Sequence, residues 1–301
     1  MDIETIIAEY FRTKRYRERT RTVVGCTLRL FLKWSKCTNT TELNRLDGHI
    51  VNEYLRYQST KLKGSTLYEY KQRLKDFYQY LNNEGWLSEP YKKSFEIPIA
   101  VEHNVKQPIS EEEMSIILDS IDRYERRGKR NYAFLLLGMR TGLRGTDVIN
   151  LKLTDIDWIN GEIRIQQAKT GTPLCLPLTK DVGEALKDYI LNGRSASDSK
   201  SVFLKVKQPF GAYKNLCASS NIMSRICTQS GLPSRGFHEL RRLIGRNMVI
   251  SGIPVTTVAQ VLGHNELSST KPYISLDTLH LKECALGLTN IEPARQLYDK
   301  I

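Results

Sequence analysis

Several features that would assign a chain to a common class of protein are absent from this sequence of 301 residues. No apolar run reaches the roughly 18 residues that a membrane-spanning helix requires, so we expect no membrane partner. Low-complexity stretches are also missing, which argues against long disordered regions. Residues 1–10 contain three acidic side chains and no apolar signal-peptide core, and we therefore expect a cytoplasmic protein.

Motifs for nucleotide or metal chemistry are missing as well. Neither the phosphate-binding motif G-x-x-x-x-G-K-[ST] nor the zinc-protease motif H-E-x-x-H occurs. The six cysteines include no C-x-x-C pair, and no cluster of carboxylates of the kind that a metal-dependent nuclease needs stands out. We therefore expect no metal and no cofactor, and we interpret the cysteines as reduced, mostly buried thiols.

Positive charge is what the sequence has in excess, because 45 Lys and Arg outnumber 33 Asp and Glu and leave a net charge of +12. Residues 1–102 contain 18 basic and 13 acidic side chains, a charge of +5, and the remainder contains 27 and 20, a charge of +7. Both parts are basic, as expected if both face the same polyanion. Net charge alone leaves nucleic acid and other partners equally open.

The first hundred residues are predicted to form a compact unit of four helices. The apolar stripe of the fourth helix consists of Leu67, Tyr70, Leu74, Phe77 and Leu81. Shorter stripes of the same spacing predict three earlier helices. Among these helices, residues 12–21 form a basic stretch with six cations and one glutamate. It is either a solvated loop or helix face, or a set of phosphate contacts. Its candidate DNA-binding side chains are Arg12, Lys14, Arg15, Arg17, Arg19 and Arg21.

Two prolines mark a boundary between two predicted domains. Pro98 and Pro108 discourage helix, and the capping box of Ser110 and Glu113 then opens a new one. We place a helical domain, a linker and a second domain at residues 1–102, 103–109 and 110–301.

The second domain is predicted to combine helices with a small antiparallel sheet, so that the whole chain is mainly α and of the α+β class. Alternating apolar residues predict strands over 162–166 and 174–178, joined by the turn Lys169-Thr170-Gly171. Helices are predicted to end at Gly142 and Gly263, and another to begin at a Thr179 cap.

Three local motifs and two further residues in this domain suggest chemistry on a phosphodiester. The motifs are T-G-L-R-G-T-D at 141–147, H-E-L-R-R at 238–242 and L-G-H at 262–264. With the turn lysine and a tyrosine nine residues after the last motif, they supply six candidate catalytic residues: Arg144, Lys169, His238, Arg241, His264 and Tyr273.

The arginines are candidates for a clamp on the phosphate, whose two non-bridging oxygens carry charge that must be neutralised during attack. The planar guanidinium donates two parallel hydrogen bonds and stays protonated, so Arg144 and Arg241 suit this task. The alternative for either is a surface ion pair. Asp147 would support Arg144 or its loop, or would be an ordinary acid at a helix start.

The remaining side chains have proton-transfer and phosphate-binding interpretations. His238 lies three residues before Arg241, on the same helix face, and could carry a proton, or it could cap the helix. Lys169 could protonate a departing 5′ oxygen, or it could be a solvated turn lysine. His264 could bind a non-bridging oxygen or interact with the helix dipole. Arg242 is a weaker DNA-binding candidate, for which a contact with an acid or the backbone is the more plausible interpretation.

Tyr273 is the candidate nucleophile. A phenol attacking a phosphodiester gives a phosphotyrosyl ester whose energy nearly matches that of the bond broken, so the reaction is reversible without ATP. Such covalent storage permits rejoining to a different strand.

Taken together, these motifs resemble the tyrosine recombinases, also called the phage integrase family. The resemblance covers residues 108–285 by motif and residues 1–102 by size, helicity and position, as in compact Xer-type or transposon-borne members. It implies that the scissile phosphate is bound by Arg144, His238, Arg241 and His264. It also implies that Lys169 is the general acid and that Tyr273 is the nucleophile. It implies a site-specific recombinase, integrating, excising or resolving DNA through a 3′-phosphotyrosine intermediate.

The resemblance also implies partners. It predicts a monomer in solution, associated with the nucleoid when bound to DNA, and a homo-tetramer that clamps duplex DNA at two synapsed recombination sites. Residues 276–301 would dock on a neighbouring subunit or, alternatively, pack on their own domain. Two other functions stay open: a type IB topoisomerase or telomere-resolving strand transferase, and a non-catalytic DNA-binding accessory protein. A topoisomerase relaxes supercoils as a monomer, and a binding protein forms no covalent adduct.

Overall fold

A computed structural model gives the architecture of most of the chain. The residues that it describes are 2–87, 95–101, 109–215 and 217–263. Two compact units divide the chain at residues 104 and 105. The predicted linker, apart from Ile109, lies outside the described residues, as do His264, Tyr273 and residues 276–301.

The first unit is helical, as its apolar stripes predicted. Its helices are α1 (Ile3–Thr13), α2 (Glu18–Trp34), α3 (Gly48–Ser59) and α4 (Gly64–Asn83), with a short 3₁₀ helix at Thr40–Arg45. The stripe of α4 faces the core, where Leu74, Phe77 and Leu81 are fully buried. Phe77 meets Tyr10 of α1 edge to face, with ring centroids 5.3 Å apart. Apolar and aromatic packing therefore holds this unit together.

The basic stretch covers the end of α1, the turn between α1 and α2, and the first turn of α2. Its cations are exposed, except for the half-buried Lys14. Arg21 lies over the Phe11 ring at 5.1 Å, and Lys14 lies 5.6 Å from the Tyr10 ring centroid. The stretch is thus anchored by aromatic rings while its charges face solvent.

The second unit surrounds one large core with helices and a small sheet. Its helices are α5 (Glu111–Asp119), α6 (Arg126–Thr141), α7 (Gly145–Ile149), α8 (Lys180–Asp188), α9 (Ala218–Gln229), α10 (His238–Ile250) and α11 (Val255–Leu262). Helix α6 is central, because Phe134, Leu135 and Leu137 are fully buried in this core. The mainly α fold with a small sheet is confirmed.

The sheet has three antiparallel strands in the order β1 (Ile156–Asp157), β2 (Glu162–Gln166) and β3 (Pro173–Pro177). Ile163 pairs with Leu176, and both are buried, which fixes the register. The predicted turn between β2 and β3 is confirmed: Gly171 has a φ of 75°. The sequence had not indicated β1, since two residues are too few to show alternation.

Most of the predicted helix ends are confirmed. The Ser110 hydroxyl accepts a bond from the Glu113 amide at 3.1 Å, and the Glu113 carboxylate accepts the Ser110 amide at 3.0 Å. Gly142 and Gly263 end α6 and α11 with left-handed φ values of 62°. Thr179 is the N-cap residue of α8, as predicted, with extended backbone angles. Its side chain makes no capping hydrogen bond, and its hydroxyl donates instead to the Asp181 carboxylate at 2.6 Å.

The prediction for the cysteines was partly wrong. Five cysteines lie among the described residues and none of these forms a disulfide. Only Cys37 and Cys227 are buried, whereas Cys26, Cys175 and Cys217 are exposed. In α2, Cys26 lies two residues from both Val24 and Leu28, which are buried, so the helical period places its thiol on the opposite, exposed face. Over the same ranges, no helix is both long and apolar enough to cross a membrane.

Candidate functional site

The end of helix α6 positions Arg144. The chain leaves α6 through Gly142, where a Cβ atom would lie 2.9 Å from the Leu262 side chain, and Arg144 then becomes the residue that caps α7. Its guanidinium is half-buried. Nη1 donates to the Gln167 side-chain oxygen at 2.8 Å, and Nη2 donates to the Gly263 carbonyl at 3.1 Å. Arg144 is therefore aimed inward, toward the end of α11.

Helix α10 brings Arg241 to the same place. Arg241 is 1% exposed, the largest of the fully buried side chains. Its Nη1 donates to the Gly142 carbonyl at 2.9 Å and its Nη2 to the Leu262 carbonyl. Arg144 and Arg241 thus bind neighbouring carbonyl groups at the C-terminal end of α11, which carries partial negative charge. The structure brings the two proposed clamp residues together.

His238 is the first residue of α10, one turn before Arg241. Surrounding protein desolvates the imidazole, and the cations Arg241, Arg242, Arg144 and Lys169 repel its protonated form, which together lower its pKa to about 4. Desolvation is the largest of these causes, and repulsion by the four cations adds to it. His238 is consequently a neutral imidazole at neutral pH and can accept a proton.

Lys169 lies exposed on the turn between β2 and β3, close enough to influence the titration of His238. The buried Asp147 anchors this turn, since its Oδ1 accepts the Ala168 amide at 2.8 Å. Its Oδ2 has no hydrogen-bond partner within the described ranges. Burial raises the pKa of Asp147 above its ordinary value, and the nearby Arg144 and Arg241 offset only part of this shift. Asp147 therefore links the start of α7 to the turn that carries Lys169.

Gln167 is a site residue that the sequence reasoning missed. It is 1% exposed, and its Oε1 accepts both Arg144 Nη1 and the Thr170 hydroxyl at 2.8 Å. Gly263 packs directly on it, because a Cβ there would lie 2.3 Å from the Gln167 amide. Gln167 thus joins Arg144, the lysine-bearing turn and the end of α11. Its only sequence signal was a polar residue at the end of a strand.

The remaining candidates divide into two groups. Arg242 donates to the Glu239 carboxylate at 2.9 Å, which favours the acid-contact interpretation. His264 and Tyr273 follow Gly263 in the chain and lie outside the described residues. In the part of the chain that the structure covers, no group of three His, Cys, Asp or Glu could hold a metal ion. The described site is therefore a concentration of cations beside a neutral imidazole, an arrangement that suits an anionic substrate.

Sequence comparisons relate the chain to DNA-recombining proteins. The profile of the phage integrase family matches residues 107–280. The protein y4rA of Sinorhizobium fredii, named an integrase/recombinase, is 35% identical over 185 residues, covering 61% of this chain and 45% of that protein. The TnP I resolvase of Bacillus thuringiensis is 23% identical over 298 residues, covering 94% and 98%. The chain thus spans less than half the length of y4rA and nearly all of the resolvase.

Solved structures resemble the chain in fold. The Tn1549 transposon integrase in complex with a circular intermediate DNA has a TM-score of 0.73 at 15% identity, covering 89% of this chain and 93% of that one. A lambda integrase dimer bound to a COC′ core site has a TM-score of 0.71 at 18% identity, covering 91% and 95%. At these identities the likeness concerns the fold alone.

Proposed function

Because the chain belongs to the phage integrase family, we propose that it is a site-specific DNA recombinase. It cleaves and rejoins DNA strands through a covalent 3′-phosphotyrosine intermediate, in integration, excision or resolution. The observation that carries the proposal is the convergence of Arg144 and Arg241 on neighbouring carbonyls at the end of α11, directly before His264 in the chain. Two guanidinium groups so placed suit the two non-bridging oxygens of one phosphodiester.

The proposed reaction divides the work among these side chains. The Tyr273 oxygen attacks phosphorus, the bond from phosphorus to the 5′ oxygen breaks, and Lys169 gives that oxygen a proton. His238, neutral before DNA binds, is available to accept the phenolic proton. Arg144 and Arg241 stabilise the charge that builds up in the transition state. A 5′ hydroxyl of another strand reverses these steps and rejoins the DNA.

The donor capacity of Arg144 supports its role. A guanidinium has five N–H groups, and the hydrogen bonds of Arg144 to Gln167 and Gly263 engage two of them. Three donors therefore remain for a phosphate while the bonds that orient the side chain persist. In the same proposal, His264 donates to a non-bridging oxygen and Asp147 supports the Lys169 turn.

Duplex DNA is the proposed partner, bound at specific recombination sites by a homo-tetramer. The solvent-facing cations of the α1–α2 turn, in a separate unit, support a second contact with the DNA backbone. Similar folds include a lambda integrase tetramer bound to a Holliday junction, with a TM-score of 0.70. We assign residues 1–102, 103–109 and 110–301 to core-site binding, the linker and catalysis. Within the last range, residues 276–301 dock on a neighbouring subunit.

Covalent capture tests this function without knowledge of the target site. The protein is incubated with fragmented DNA of its host genome in EDTA, denatured, and separated from free DNA. We expect protein–DNA adducts at a few reproducible sequences. Cleavage without any adduct, seen only when Mg²⁺ replaces EDTA, would point to a metal-dependent nuclease. Adducts spread without sequence preference, with supercoil relaxation by a monomer, would favour a topoisomerase.

A further inference from the structure

A second basic site lies in the second unit, between the start of α6, residues 205–215 and α9. It is a cavity of about 270 Å³. Five of the side chains that line it are basic: Arg127, Arg130, Lys205, Lys207 and Arg225. Its other lining residues include neutral donors such as Tyr213 and Asn221, and none of the lining residues that the structure describes is Asp or Glu. Among the described residues, the cavity thus gathers positive charge without a compensating acid.

Arg130 lines the bottom of this cavity and is buried, with 7% of its surface exposed. Its Nε and Nη2 donate to the Asn131 side-chain oxygen at 3.1 and 2.6 Å, and its Nη1 donates to the Tyr213 hydroxyl at 2.6 Å. Both acceptors are neutral, so they orient the guanidinium without balancing its charge. Counting the hydrogen bonds among described residues, one N–H on each Nη remains for a ligand. Tyr213, which accepts from Arg130, can donate its own proton to the same ligand.

None of the five cations forms an ion pair within the described ranges, although other basic residues nearby do. Lys129, on the same turn as Arg130, pairs with Asp188 at 2.8 Å. Burial, and the charges of Arg127 and Arg225, lower the pKa of Arg130. Bringing these charges together therefore costs free energy in the absence of an anion.

The position of the cations on α6 adds to this cost. The N-cap residue of α6 is Glu125, whose side chain makes no capping hydrogen bond. The first turn itself contains no acidic residue, and Arg127 and Arg130 lie within the first five residues of the helix. The start of a helix carries partial positive charge, which disfavours cations and attracts anions. The start of α6 and the basic side chains thus both favour an anionic ligand.

We propose that this cavity binds a phosphate group, held by Arg130 at its base and by Arg127, Lys205 and Arg225 around it. It is separate from the strand-transfer site: Arg130 precedes Thr141 by 11 residues of α6, or about 16 Å of helix. The phosphate belongs either to a DNA backbone outside the reacting strand or to a free polyphosphate or nucleotide. The second source is independent of the proposed function, whereas the first rests on it.

A charge-matched pair of variants tests the site. Arg127→Gln with Arg225→Gln removes two exposed cations from the cavity, and Arg130 is left in place because its burial makes it important for folding. Arg164→Gln with Lys187→Gln removes two exposed cations elsewhere in the same unit and serves as the control. Thermal unfolding verifies that both double variants are folded.

Two probes then distinguish the sources of phosphate. Calorimetric titration with tripolyphosphate at constant ionic strength should show binding at least about tenfold weaker in the cavity variant than in the control. Fluorescence anisotropy with a non-specific DNA duplex compares the DNA affinities of the same two variants. A loss with tripolyphosphate alone assigns a free anion, and a loss with duplex assigns DNA. The proposal is overturned if neither probe separates the two variants. Since neither probe measures strand cleavage, failure of the recombinase assignment would leave these results unchanged.

Discussion

The two units bury different kinds of side chain. Apart from tyrosines, the only buried polar residue among the described part of the first unit is Thr27. The second unit buries a larger polar set: Arg130, Asn131, Thr141, Asp147, Gln167, Ser219 and Arg241. Buried charges cost free energy unless they are hydrogen-bonded, so a chain retains them where they have a use. Apolar packing therefore accounts for the first unit, whereas the second unit also holds buried arginines at two sites, around Arg241 and around Arg130.

We expect the largest effect from a substitution that disrupts the apolar packing of the first unit. Phe31 is fully buried, with its ring 5.1 Å from that of Tyr54. Replacing it, Phe31→Ala, should lower the free energy of unfolding of this unit by about 3–5 kcal/mol, measured by denaturant titration. The neighbouring Leu30→Ala, at a side chain 45% exposed, should change it little. Equal losses in the two variants would contradict the assignment of the core.

A slightly smaller effect, on rate rather than stability, should follow Arg144→Ala in the second unit. Removing one donor to the transition state typically slows a reaction by about 10²–10³-fold. Adduct formation under single-turnover conditions measures this rate. Arg140→Ala, which removes an exposed arginine paired with Asp181 at 2.7 Å, is the matched control and should react normally. A normal rate for Arg144→Ala would remove it from the clamp.

Gln167→Ala tests whether a buried polar residue of the second unit serves to orient a neighbouring side chain, here Arg144. Without it Arg144 loses one of its two orienting bonds, and we expect cleavage about tenfold slower with DNA binding nearly unchanged. Its exposed neighbour in β2 provides the control, Gln166→Ala. If the two variants cleave equally fast, Gln167 does not position Arg144.

The smallest effect concerns pH. The folded-state pKa of His238, about 4, lies below its ordinary value of 6.5, so the unfolded chain binds a proton first. The free energy of unfolding should therefore fall as pH decreases from about 6.5 to about 4, and His238→Gln should remove this part of the loss. Proton NMR of the free protein should give a His238 midpoint near pH 4. A midpoint near 6.5 would contradict the lowered pKa of this imidazole.

Local patterns predicted most of the fold. The α4 stripe, the Ser110 capping box and the β2–β3 turn each depend on residues a few positions apart, which a sequence displays directly. Helix α7 and strand β1 are too short to show a period. Thr179 occupies the predicted N-cap position of α8, but the sequence did not indicate that its hydroxyl would bond to Asp181.

The site was predictable in its residue types and not in its supporting contacts. The motifs named Arg144 and Arg241, but Gln167 meets Arg144 across 23 positions and Gly263 meets it across 119. The cavity around Arg130 likewise joins segments that are distant in sequence. Such contacts arise from packing, which no short motif records.

Peptide mapping of the covalent adduct identifies the residue that attacks the DNA. After capture on DNA and digestion of both polymers, mass spectrometry should find a nucleotide on the Tyr273 peptide alone. The variant Tyr273→Phe should bind DNA normally and give no adduct. An adduct at another residue, or one that survives in Tyr273→Phe, would contradict the proposed chemistry.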